Sequence, residues 1–441
     1  MPLVRPPSTV EPMLISDLLS ITADAHCRTK ALVADLSDEM LIGPCRRNFL
    51  PPLWVLGHIA WLYDHYLLDR LGMQPVGLSD VGALFNDQIA LNSNLWNLPL
   101  PDIDTTMNYF NRVADSVSFA LGDLEKASPE ASFACRFCVQ REDMLGEMLI
   151  TQRQVNGFPA PSFVGDMVVA SGKSQAGDVY IPGGIHSLGA SPEDGFILDN
   201  EKWGHGYEVA PFHISRLAVT NEEFLLFLED GGYERSDLWS KAGWGWRSYT
   251  KARNPVYWRE NSNGWNARLF DKWELLKKSD PIIHVNWFEA DAWCRWAGRR
   301  LPWEGEWEIA ASLVPRFENK LSGPKHRYPW NKNTINVTFA NLDGNFGGPC
   351  DVTSFPSGDS GYGARQMIGN VWEWTQSALS EYPGFAPDMM EKFSRSHMDG
   401  RHPVLRGGSW ATRGRAVWNT LRNFEAMDRS DRFSGFRTCA V

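Results

Sequence analysis

The sequence predicts an α+β chain of two domains, a helical bundle followed by a domain with little regular secondary structure. Three observations carry this. The chain has 441 residues, well beyond the ~150 expected of one domain. Residues 12–157 place apolar side chains at helical spacing. From residue 178 onward the texture changes: Gly, Trp and Pro become dense, in a chain with 38 Gly and 20 Trp, and the apolar runs are short.

Each element follows from local signals. Leu14, Leu18, Leu19, Ile21, Ala25 and Leu32 fit one face of a first helix. A second runs from Leu53 to about Leu71 after the Pro51-Pro52 start signal. A third spans Thr105–Leu124 after Pro101-Asp102, and a fourth spans Ala131–Val155, stopping at Gly157-Phe158-Pro159. Four such helices make a bundle. The loop from Gly72 to Asp104 is long enough to be functional. Residues 158–177, rich in Pro, Gly and Ser, read as a linker, and 178–441 as the second domain. There Val179-Tyr180-Ile181 reads as a strand, and helical periodicity is confined to Asn221–Gly231, Trp287–Gly298 and Trp303–Ser312. The remainder is expected to be loops held by Trp packing.

Composition excludes several function classes. With 43 Lys+Arg against 53 Asp+Glu the formal charge is −10, which argues against sequence-independent nucleic-acid binding. No apolar run reaches the ~18 residues of a membrane span. The first residues, Met1 to Leu19, lack a signal peptide's apolar core, so a cytoplasmic protein is expected. Seven scattered cysteines then read as reduced thiols. The Cys135-x-x-Cys138 pair has no second Cys or His pair to complete a zinc site and reads as structural.

The second half carries a specific series of strings. They are Ile181-Pro-Gly-Gly184, Ala218-Val-Thr-Asn-Glu-Glu-Phe224, Val285-Asn-Trp-Phe-Glu-Ala290, Ala297-Gly-Arg-Arg-Leu-Pro302 with Glu306-Trp-Glu308, Tyr328-Pro-Trp330, Gly369-Asn-Val-Trp-Glu-Trp374, Leu405-Arg-Gly-Gly-Ser-Trp410 and Gly435-Phe-Arg437. In this order they resemble the formylglycine-generating-enzyme-like (sulfatase-modifying-factor, C-type-lectin-like) domain. Each string also has a structural role in Gly–Trp packing and Arg/Glu pairing. Formylglycine-generating enzymes hold copper with cysteines after the R-G-G-S motif; residues 409–416 contain none, so that activity is not expected.

A DinB-like four-helix bundle ahead of such a domain resembles a narrower family, the non-haem iron sulfoxide synthases of ergothioneine biosynthesis and their selenoneine-synthase relatives. Leu56-Gly-His-Ile-Ala-Trp61, Trp96-Asn-Leu-Pro-Leu-Pro101, Thr151-Gln-Arg-Gln154, Tyr382-Pro-Gly-Phe385 and Arg422-Asn-Phe424 carry the resemblance. It implies an O2-dependent oxidoreductase that holds Fe(II) with three histidines and joins sulfur or selenium to the imidazole of a histidine betaine.

The iron pattern is broken here. One ligand position matches His58, but the H-E-x-x-H motif of the fourth helix reads Arg141-Glu-Asp-Met-Leu145. Leu145 has no lone pair, and Arg141 stays protonated. A replacement triad of His58, His65 and Glu147 is conceivable: His65 lies seven residues after His58, and Glu147 lies near the face of Arg141 and Leu145. The alternative is that His65 is a surface histidine and Glu147 a helix-face charge. Arg141 can also pair with Glu147, or with another carboxylate in the pocket, one cation replacing another. The stretch Leu91–Trp96 lacks the His and Arg that precede the Trp-x-Leu-Pro-Leu-Pro string in selenoneine synthases, and the arginines that grip a thiol donor have no match.

On the betaine side, the resemblance places substrate binding at Arg422, Asn423, Phe424 and Glu425, an aromatic and a carboxylate suiting a quaternary ammonium. Tyr382 matches the family's catalytic tyrosine, a proton donor. Their structural alternatives are core packing for Phe424, an Arg422/Glu425 pair, and a Tyr-Pro-Gly turn. Two readings stay open. One is an iron-dependent synthase. The other is a metal-free homologue that binds a small betaine or amino-acid ligand, or partners an active synthase.

Overall fold

The computed structural model describes residues 12–77, 81–86, 94–172, 176–312, 325–330, 332–390 and 394–441. The first residues, which bear on a leader, and Leu91, Asn92 and Ser93 of the long loop lie outside the described residues. The chain divides into two compact units: Met1–Arg153 with Pro161–Phe163, and Gln154–Ala160 with Val164–Val441.

The first unit is built on four long helical stretches. Helix α1 spans Ile15–Val33, and a short α2, Asp38–Ile42, is capped by Ser37. Helix α3, Pro52–Tyr63, starts with proline at its first turn and continues through a π turn, Asp64–Leu68, and a 3₁₀ turn, Asp69–Leu71. After α4, Val81–Leu84, come α5, Ile103–Gly122, and α6, Pro129–Asn156. The Asp102 carboxylate caps α5 by accepting from Thr105 N–H at 2.8 Å. Leu18, Ala25 and Leu32 of α1 are buried as the periodicity predicts, but Leu14 is 69% exposed. It sits at the N-cap, before the helical phase begins.

Burial also explains the C-x-x-C pair. Cys135 and Cys138 are free thiols inside the bundle, and burial pushes the Cys135 thiol up to about 11. Such thiols pack as small apolar groups.

Among the described residues the second unit has four small sheets and four α-helices. One sheet orders strands 178–181, 212–215, 439–440 and 299–300. Another orders 423–424, 403–406, 372–378 and 434–435, the last pair parallel. A hairpin, 184–188 with 205–209, and a meander, 258–261, 264–269 and 272–275, complete them. The helices are α7 Asn221–Glu229, α8 Lys241–Thr250, α9 Trp287–Trp296 and α10 Glu304–Ser312. Three occur where periodicity placed them. Helix α8 was not expected, because Gly243 and Gly245 lower helix propensity and only Gly243 is buried. Ser240 starts it as N-cap, accepting from Gly243 N–H at 3.1 Å.

Irregular backbone here is tied down by tryptophan side chains. Trp374 donates to the Val285 carbonyl, Trp287 to that of Thr375 and Trp239 to that of Gly232, each at 2.8–2.9 Å. Residues expected as a linker also join this unit: Gly165 N–H donates to Gly344 O at 2.9 Å, and Thr353 Oγ1 donates to Gly172 O at 3.2 Å.

Close backbone approach fixes Gly435. A Cβ there would lie 2.1 Å from the Ile282 carbonyl oxygen. Gly435→Ala should therefore destabilise the protein by roughly 3 kcal/mol, read as a lower urea midpoint at unchanged m value. An unshifted midpoint would show that the two segments can part freely.

Candidate functional site

In the first unit the predicted ligand His58 is buried on α3, 4% exposed. Its Nδ1–H donates to the Phe85 carbonyl at 2.7 Å, which leaves the lone pair on Nε2. Burial pulls its pKa down to about 4, and the Arg141 guanidinium adds to the shift. A neutral imidazole and a nearby guanidinium thus stand where the resemblance expects three histidines.

His65 does not join His58. The two share one face of the helix, as a seven-residue spacing implies, but His65 is exposed where His58 is buried. Trp61 lies between the two imidazoles: its ring stacks at 5.6 Å from His58 and 4.6 Å from His65. Trp54 stacks on the other face of the ladder, 4.6 Å from His58. Glu147 is half-buried and its backbone carbonyl accepts from Thr151 Oγ1. Leu145 is 7% exposed and adds only carbon. Among the described residues no group of three or more His, Cys, Asp or Glu side chains is placed to hold a metal ion. The His58/His65/Glu147 triad is therefore not assembled, and the residues present do not fit Fe(II).

The glutamate of the broken motif does something else. Glu142, 1% exposed, accepts from Tyr63 OH at 2.7 Å, Thr29 Oγ1 at 2.6 Å and His26 Nδ1 at 3.1 Å. Burial works to raise its pKa, but His26 and the donated bonds outweigh burial and hold the carboxyl below its usual range. This joins α1, α3 and α6. The sequence signal was available, since Thr22, His26 and Thr29 share the buried face of α1.

In the second unit the four residues expected to bind substrate all have partners within the fold. Arg422 is 2% exposed and forms a fork with Glu304 at 2.6 and 3.0 Å. It also donates to the carbonyls of Asn200, at 2.6 Å, and Ser380, at 3.0 Å. Asn423 and Phe424 form a two-residue strand on 404–405. Phe424 packs with Leu379 and Val404. Glu425 pairs with Arg429 and Arg432 rather than with Arg422. Two guanidiniums thus face that carboxylate.

Tyr382 opens a turn with Pro383 and Gly384, closed by Phe385 N–H donating to its carbonyl at 3.0 Å, with Gly384 at φ +86°. Its ring is buried under Arg422, 3.9 Å from the guanidinium carbon, and meets His205 edge-on at 4.8 Å. Among the described residues its hydroxyl has no hydrogen-bond partner. Burial pushes its pKa well above the ordinary value, with Arg422 opposing.

After Arg406-Gly-Gly-Ser409, the turn where formylglycine-generating enzymes carry cysteines is closed by hydroxyls. Ser409 N–H donates to Thr412 Oγ1 at 2.8 Å.

The sequence profile of the sulfatase-modifying factor enzyme 1-like domain matches residues 165–440. The hercynine oxygenase of Mycobacterium tuberculosis is 33% identical over 422 residues, 94% of this chain and 96% of its own. The chain belongs to the hercynine oxygenase family. The hercynine oxygenase of Mycolicibacterium smegmatis, also 33% identical, covers 88% of this chain and 90% of its own. A mouse relative, "Inactive C-alpha-formylglycine-generating enzyme 2", is 31% identical over 53% of this chain and 73% of its own. Within this hercynine oxygenase family member, the motifs that carry the resemblance in the second unit are its buried ion pairs and tryptophan ties. They show where the scaffold is kept, and they do not assign a ligand.

Removing one partner of a buried pair leaves an uncompensated charge. Arg422→Met should cost about 3–5 kcal/mol of stability, and Arg422→Met with Glu304→Leu should recover most of it. A substrate-binding role predicts the reverse pattern, full stability with lost ligand affinity.

Proposed function

We propose that this chain is a metal-free member of the hercynine oxygenase family whose retained activity is recognition of a small betaine or amino-acid-type ligand. The supporting observation is the Arg141 guanidinium beside a neutral, buried His58, with Leu145 one turn further along α6. A fixed guanidinium at that place repels a metal cation, and one imidazole alone does not compete with water for ferrous iron. The ligand class comes from the names of the relatives and from the long co-linear match to them. The bundle we read as DinB-like.

A second reading is the O2-dependent synthase that forms a C–S or C–Se bond on the imidazole of a histidine betaine. It is favoured by the Phe85 carbonyl, which still holds His58 in the tautomer a metal ligand needs. Because the residues at 141 and 145 do not fit iron, no chemical step is derived through it.

The deciding experiment is metal content per chain after anaerobic reconstitution with Fe(II). Iron near zero is expected. Near-stoichiometric iron, lost in His58→Ala, would overturn the metal-free reading and favour the synthase. A thermal melt with hercynine tests the ligand separately: at 100-fold excess over Kd binding should add about 2.7 kcal/mol of stability. An unmoved melt with hercynine and with free amino acids would remove the binding reading.

A further inference from the structure

Residues 380–390 leave the strand 372–378 and run without helix or strand across the segment 199–205. Ser380, Glu381, Pro383 and Gly384 are exposed, while Tyr382 between them is buried. The segment is held at its start by Arg422, which donates to the Ser380 carbonyl at 3.0 Å and lies over the Tyr382 ring, and at three points further along. The Pro383 carbonyl accepts from Trp203 N–H at 3.3 Å. Gly384 lies against the Trp203 ring, so closely that a Cβ would sit 3.0 Å from it. Asp388 pairs with Lys202, and both side chains are 6% exposed.

The closed arrangement leaves polar groups without partners. The Tyr382 hydroxyl, Asp388 Oδ2 and Asn200 Oδ1 are all buried and, among the described residues, accept or donate no hydrogen bond. Opening would return the first two to water, so closure is opposed by the groups it buries. Asp388 also faces the carboxylates of Asp199 and Glu201, with Lys202 as the opposing cation. Asp199 in turn accepts from Ser394 Oγ at 2.6 Å. Against this opposition stand Arg422 at Ser380 and Tyr382, the exposed Glu381–Arg395 pair, the two contacts to Trp203 and, toward the far end of the segment, the buried Lys202 pair. The strand beneath does not share this balance, since 372–378 is paired on both sides, by 403–406 and by 434–435.

We propose that residues 380–390 form a strap, latched by the buried Lys202–Asp388 ion pair, which keeps the Tyr382 hydroxyl sequestered and releases it to solvent when the latch opens. The strap moves as a unit distinct from the sheet. This goes beyond the ligand-binding reading and does not depend on it.

Hydrogen exchange with mass spectrometry on the full chain tests it, with tyrosine nitration mapped by peptide. In the wild type, strap peptides should exchange at a rate that low urea does not change, while strands 372–378 and 403–406 exchange only through urea-sensitive unfolding. Lys202→Met should speed exchange of the strap about tenfold or more and bring nitration to Tyr382, with strand protection unchanged. Strap exchange that follows urea in step with the strands would overturn the proposal, and needs no variant to be seen. So would a Lys202→Met protein, still folded, whose strap exchange and Tyr382 nitration match the wild type.

Discussion

The second unit depends on buried charge pairs. Arg406, Arg422 and Arg437 have no exposed side-chain surface, and each meets a buried carboxylate: Glu308, Glu304 and Glu373. A domain with so little regular secondary structure has few ladders to hold its backbone, and these forks take their place. Arg437 donates to Glu373 at 2.6 and 2.8 Å and to the carbonyls of Ser215, Arg216 and Arg365. Trp307 donates to the same Glu373 at 2.7 Å. Desolvating such groups is costly, and the arrangement is tolerable when most donors and acceptors are met, although Arg406 Nε is buried without a partner among the described residues. A planar guanidinium suits this because it reaches several acceptors at once. The consequence is interdependence: segments 60 or more residues apart in sequence are required together, or the charge left behind destabilises the whole.

That interdependence explains why the fold was legible in sequence and the site was not. Glu373 sits in Gly369–Trp374, Arg406 in Leu405–Trp410, Arg437 in Gly435–Arg437 and Glu308 in the Glu306–Glu308 string. The motifs read from sequence are thus the two ends of the forks. Partner choice was not legible. Arg422 and Glu425 are neighbours in the chain, yet one finds Glu304 across the fold and the other Arg429 and Arg432. A local string cannot reveal a partner more than a hundred residues away. In the bundle, periodicity placed the four long helices within a few residues. It placed His65 on the face of His58, but a shared face is not a chelate: Trp61 stacks between the two imidazoles and holds them apart. Helix α8 escaped because its glycines and tryptophans lack a 3.6-residue apolar pattern.

The bundle separates two roles that the metal-site motif combines. Its glutamate position, Glu142, remains tied into the core by Tyr63, Thr29 and His26. That network positions α6 against α1 and α3 whether or not a metal is present. The two positions one turn apart that the resemblance assigns to metal ligands, 141 and 145, carry a cation and an alkyl group. The helix is anchored by Glu142 whatever the neighbouring buried positions carry.

The Arg141–Leu145 pair has an evolutionary consequence. Leu145 is 7% exposed and one turn from a guanidinium that is itself 8% exposed. Replacing Leu145 by histidine first would bury an imidazole beside a fixed positive charge. Replacing Arg141 by histidine first would leave two imidazoles and an alkyl group, still short of a facial triad. Each single step is unrewarded, and only both together return a three-histidine set with His58. Any route to such a set therefore needs two substitutions on one face of α6, neither of which completes a metal site alone.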